Sequence, residues 1–203
     1  MKHTLFPALL LALAGPPAFA QPADPANATV QALNSGLLAT MRAGSAAGQA
    51  GRARIIAPVI DRTFDIPLMT RLAVGPAWTR LTPADQSGLV AAFRSLTIAQ
   101  YARNFDSHGG ESFIVVPQVE TRGADKLVRT TLVVPKGASE PLNYRLRQSG
   151  GAWKIIDVYY RNAISQLATR RSEFTRPLAT GGAQALIAHL NRLAARPASG
   201  GVR

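Results

Sequence analysis

The sequence predicts an α+β domain in which several helices pack on a curved antiparallel sheet of about four or five strands. Three observations carry this. Apolar residues recur at helical spacing through the first half of the chain and again near its end. Between Phe113 and Tyr160 the texture switches to β-branched and aromatic runs. The breaks between those runs are short and glycine-bearing, which suits hairpins and leaves no room for crossover helices.

Taken in order, the chain opens on a pattern for export. Lys2 and His3 precede an apolar run from Leu5 to Ala14, and the small-residue triplet Ala18-Phe19-Ala20 follows. The run is shorter than the roughly 20 residues a membrane span needs. Residues 1–20 therefore read as a cleavable signal, residues 21–196 as a single domain and 197–203 as a flexible tail. Residues 21–28 read as a loose leader. Val30, Leu33, Leu37 and Met41 then keep helical phase. The small residues Ala43 to Gly51 suggest a loop or frayed end, and Ile55, Ile56, Val59 and Ile60 a short helix face disturbed by Pro58. Asp65 is placed to cap a helix that Gly75-Pro76 ends. Thr82-Pro83-Ala84-Asp85 is a strong helix start for a long segment carrying Leu89, Val90, Phe93, Leu96 and Tyr101. Ser107-His108-Gly109-Gly110 stops it.

Strands are expected at Phe113 to Thr121, Leu127 to Val134, Leu142 to Gln148 and Trp153 to Tyr160. In the third, Leu142, Tyr144 and Leu146 face one way, and Asn143, Arg145 and Arg147 the other. Ile164, Leu167, Phe174 and Leu178 return to helical phase, with a kink or stop near Pro177. Gly181-Gly182 separates a last amphipathic helix carrying Leu186, Ile187, Leu190 and Leu193.

The charge is basic, with 23 Lys and Arg against 11 Asp and Glu, and there is no cysteine. The arginines are scattered, without a zinc finger, an RNA-recognition signature or a basic arm, which argues against nucleic acid as a partner. A basic surface approaching anionic lipid headgroups is the functional reading beside a merely solvated one. The sequence has no H-E-x-x-H, no G-x-S-x-G elbow and no phosphate loop, so neither a metal, a cofactor nor a catalytic residue is assigned. Asp157 is the best candidate for a catalytic base. The period of two puts it on a face with Trp153, Ile155 and Tyr159. The favoured alternative is a hydrogen-bonded aspartate near a strand end, holding a neighbouring segment.

Several short stretches, in order and spacing, resemble one family. They are Thr63-Phe64-Asp65 with Met69-Thr70-Arg71; Trp78 with Leu81-Thr82-Pro83; Phe93-Arg94 and Tyr101-Ala102; Val128-Arg129-Thr130; Tyr144-Arg145-Leu146; and Trp153-Lys154-Ile155-Ile156-Asp157-Val158. The family is the periplasmic lipid-binding component of the Mla system, the toluene-tolerance or auxiliary transport proteins. Ile164-Ser165-Gln166-Leu167-Ala168, Arg170-Arg171-Ser172-Glu173-Phe174 and Gly181-Gly182-Ala183 look more like the branch linked to hopanoid biosynthesis. The chain departs from many relatives at Arg161-Asn162, where they carry an Asp-Gly turn.

The resemblance implies a strongly curved antiparallel sheet wrapped by several helices, with an apolar pocket between sheet and helices, and a periplasmic monomer carrying phospholipid or hopanoid between an inner-membrane transporter complex of the ABC type and an outer-membrane lipid-accepting complex, in service of outer-membrane lipid asymmetry. A carrier makes physical sense. A diacyl lipid exposes on the order of 30 methylenes, and at about 0.8 kcal/mol each their exposure to water costs roughly 24 kcal/mol, so transfer must pass between apolar sites. The residues expected to line the tails are Met69, Leu72, Phe93, Leu96, Leu132, Tyr144, Leu146, Ile155 and Ile164. Two rival readings are a small cone-shaped enzyme using Asp157 and a ligand-free adaptor of an envelope transporter.

Overall fold

A computed structural model describes residues 24–161 and 163–197. The expected signal (1–20), most of the expected tail (197–203) and Asn162 of the Arg161-Asn162 turn lie outside the described residues. Among the described residues, no helix is long and apolar enough to cross a membrane.

Four helices precede the sheet: α1 (Pro25–Ala43), α2 (Gly48–Thr63), α3 (Ile66–Val74) and α4 (Pro83–Asn104). Their starts follow the predicted cap chemistry. The Asp65 carboxylate accepts from Leu68 N at 3.0 Å, and the Thr82 hydroxyl accepts from Asp85 N at 3.1 Å, with Pro83 in the first turn. Two expectations are corrected here. The leader is not loose from Asp24 onward, because the Asp24 side chain caps α1 through Ala26 N at 2.9 Å and Ala26 is fully buried. The stretch from Ala43 to Gly51 is a 3₁₀ turn (Ser45–Ala47) followed by the first turn of α2, which then continues through Pro58. What orders this small-residue stretch is tertiary. Buried Arg52 donates from Nε to the Ala102 carbonyl (2.8 Å) and from Nη1 to the Gly44 carbonyl (2.7 Å), tying the C-terminal ends of α4 and α1 together.

The sheet is antiparallel and open, with seven strands: β1 (Ser112–Val115), β2 (Glu120–Arg122), β3 (Asp125–Val128), β4 (Thr130–Val133), β5 (Glu140–Ser149), β6 (Ala152–Tyr160) and β7 (Ile164–Ser165). The first two expected runs are each interrupted, which is why more strands appear than were expected. β3 and β4 pair in succession along one edge of β5, parted at Arg129. β1 and β2 flank them, parted at 116–119, and Val116 N donates to the Arg129 carbonyl across the two breaks. The other edge of β5 pairs β6, whose far side takes up β7 and, through Asp65 N to the Ile155 carbonyl, the residue pair ahead of α3.

Ile164 stands in β7 and not in a helix, so the final helix α5 (Gln166–Ala194) starts two residues later than its phase suggested. It passes through Pro177 without stopping there. The break is at Gly181-Gly182, where Gly182 takes φ 63°, a conformation costly for any side-chain-bearing residue. The half before this break packs back on α4, with Phe174 edge-on to Phe93 at 5.9 Å, and the half after it returns along α4 with the Ile187 side chain against Gly88.

Candidate functional site

The helices and one sheet face enclose a contiguous apolar core. Of the nine side chains expected to meet a ligand, six lie in it: Met69 from α3, Phe93 and Leu96 from α4, Tyr144 and Leu146 from β5, and Ile155 from β6. All six are at most 5% exposed. Leu72 and Leu132 are partly buried against the same core. Ile164 does not join it. It is 50% exposed at the β7 edge, paired with Tyr160, because the chain is still extended there.

A rim of partly buried apolar groups borders this core: Tyr101 and Phe105 near the end of α4, and Phe113 and Val115 of β1. The Tyr101 and Phe105 rings stack at 5.7 Å, and Phe64 meets Tyr101 edge-on at 5.7 Å. The signal for Phe105 was in the sequence as an i, i+4 aromatic pair. Burial raises the Tyr101 phenol well above its ordinary value, and it raises that of Tyr144 despite a hydrogen bond with Thr130, so both rings stay neutral.

Asp157 is placed by a β-bulge. Arg145 pairs with Asp157 but Leu146 pairs with Ile155, leaving Ile156 as the extra residue. The bulge corrects the period-of-two reading. Trp153 and Ile155 fall on the Leu146 side, and Asp157 and Tyr159 on the Arg145 side. Asp157 is 2% exposed. Its Oδ1 accepts from Val158 N (2.8 Å) and Leu167 N (3.0 Å), and its Oδ2 accepts from the Ser165 hydroxyl (2.7 Å). The Arg145 guanidinium lies 3.8 Å away. The carboxylate thus holds the start of α5 to β6, as the favoured alternative foresaw, and both its oxygens are committed.

Among the surface clefts that the described residues form, two bear on binding. One, of about 310 Å³, is on the outer sheet face and is lined by Arg122, Leu127, Arg129, Asn143 and Tyr159. Both arginines are drawn to the Glu120 carboxylate, at 2.8 Å and 2.7 Å. The other, of about 400 Å³, lies where the end of α1 meets the segment after α4, lined by Met41, Arg42, Gly44, Ser45, Asp106, Ser107 and His108. Among the described residues, no group of three or more His, Cys, Asp or Glu is placed to hold a metal ion.

A layer of helices on an open antiparallel sheet, enclosing an apolar interior, defines an α+β fold. The MlaC protein family model matches residues 31–192, and the chain belongs to that family. Among solved structures, the fold is shared with a phospholipid-binding protein from Ralstonia solanacearum, solved in complex with a phospholipid. The TM-score is 0.71 at 24% identity, over 84% of this chain and 97% of that one. A search of the curated proteins finds no match.

Proposed function

We propose that this protein is a periplasmic carrier that holds the acyl tails of a phospholipid between its sheet and its helices, and that it moves lipid between the inner and outer membranes without catalysing a reaction. The observation that carries the reading is the contiguous apolar core joining Met69, Phe93, Leu96, Tyr144, Leu146 and Ile155, in a chain of the MlaC family. The Ralstonia solanacearum protein of the same fold holds a phospholipid, which favours that cargo over a hopanoid. Tails would enter by spreading the partly buried rim of Leu132, Tyr101, Phe105, Phe113 and Val115, with Leu72 at the α3 side and Ile164 at the sheet edge. The side-by-side interruptions at Arg129 and 116–119 give the sheet a place to bend around them. Under this reading residues 1–20 are removed on export, residues 21–196 act as one monomeric domain, and an inner-membrane transporter and an outer-membrane acceptor are the docking partners. The enzyme alternative is disfavoured because Asp157 spends both oxygens on hydrogen bonds.

Native mass spectrometry of the purified protein, followed by lipid extraction, tests the proposal. The expected result is a folded protein carrying stoichiometric phospholipid. A folded protein that comes out empty and takes up no lipid from vesicles overturns it in favour of an adaptor.

A further inference from the structure

Among the described residues, one interior amide makes no hydrogen bond. Asn34, on α1, is 5% exposed, and neither its Nδ2 nor its Oδ1 has a partner. A buried amide is costly unless its bonds are made, so the position calls for a polar group. Asn27, seven residues earlier and on the same helix face, donates from Nδ2 to the Pro117 carbonyl at 2.9 Å and leaves Oδ1 unpaired. Met41 lies seven residues later on that face and lines the cleft that it shares with Asp106, Ser107 and His108. These two ends pin α1 antiparallel to the segment 106–117. Asn34 lies midway between them on α1, two turns or about 10 Å along the helix axis from Met41.

We infer that Asn34 is the polar contact for the ligand's ester linkage, its Nδ2 donating to an acyl ester carbonyl, and that the cleft beside Met41 is the mouth through which the headgroup stays in water. The inference rests on the carrier reading above. Methylene tails ask nothing of an amide, and a pure hydrocarbon offers it no acceptor. An ester carbonyl offers one where apolar tails give way to the polar end of the molecule. The mouth carries Arg42 and His108, with Asp106 as the one carboxylate in its lining. Such an arrangement selects acyl esters within a pocket whose remaining walls are apolar.

The test is a competition on the delipidated mature protein between dipalmitoyl phosphatidylglycerol and its dihexadecyl diether analogue, which keeps the headgroup and chain length and lacks the ester carbonyls. Bound lipid is read by native mass spectrometry. The wild type is expected to prefer the ester by about fivefold, the worth of one neutral hydrogen bond. Asn34→Leu is expected to stay folded, bind lipid and lose that preference. Equal uptake of ester and ether by the wild type, or a preference that survives in Asn34→Leu, overturns the assignment and leaves Asn34 as a structural residue. Uptake of neither lipid overturns the carrier reading as well, so the two failures are distinct. Should Asn34→Leu not fold, Asn34→Ala is read the same way, and the wild-type ratio needs no variant.

Discussion

Asp157 and Leu146 lie close together across the β5–β6 pairing, and each has a definite consequence. Replacing Asp157 by Ala removes the acceptor for Val158 N, Leu167 N and the Ser165 hydroxyl. Stranding buried donors costs about 1–3 kcal/mol each, so a loss of roughly 3 kcal/mol is expected in urea unfolding. Asp157→Asn, which keeps one acceptor oxygen, should lose less and still carry lipid. Leu146 is fully buried within the core, and Leu146→Arg places an unpaired charge there. A penalty of about 4 kcal/mol or more is expected, a large part of the roughly 5–15 kcal/mol that holds a domain together. Circular dichroism should show an unfolded or unexpressed protein; a folded one would mean that the space beside Leu146 opens to the pocket mouth. Arg145 is not the inert neighbour that strand alternation suggests, since it lies within 4 Å of both Asp125 and Asp157.

At the level of elements, the α1–α2 pair depends on one absent side chain. A Cβ at Gly36 would stand 2.7 Å from both methyl carbons of Val59 and 3.1 Å from its Cβ, so turning the valine relieves nothing. Gly36→Ala should therefore destabilise by about 1–2 kcal/mol, despite alanine's better helix propensity, which is worth up to about 1 kcal/mol. Adding Val59→Ala should recover part of the loss, and a urea melt of the double variant checks it. If Gly36→Ala proves more stable than wild type, the two helices are not in this contact in solution.

For the molecule as a whole, a ligand that binds only the folded state raises stability in proportion to its occupancy. Emptying an apolar site also leaves packing unmade. The thermal midpoint of the delipidated protein should thus fall several degrees below that of the loaded protein and return when phosphatidylglycerol vesicles are added. Equal midpoints, with lipid shown to be present in one sample, would place the lipid on the surface and not between sheet and helices.

The sequence by itself determined what local chemistry controls. Helix starts at Asp65 and Thr82, the two long strands β5 and β6, the inward set Leu142, Tyr144 and Leu146, and the glycine break at 181–182 all follow from cap residues, side-chain period and turn residues, which act over a few positions. Six of the nine proposed ligand-facing residues share one core for the same reason: their phase marks the inner faces of α3, α4, β5 and β6. Tertiary structure decided the rest, because the forces concerned join residues far apart in the chain. The bulge at Ile156 moves Asp157 to the opposite face from Ile155, and a carboxylate reaching Ser165 and Leu167 fixes where α5 begins. Arg52 orders the small-residue stretch after α1 by bonding the distant Ala102 carbonyl. Asn34 is a plain polar interruption of the Val30–Leu33–Leu37–Met41 stripe in the sequence. Only the tertiary packing of α1 buries its amide without a partner, because burial depends on which distant surface closes over a side chain.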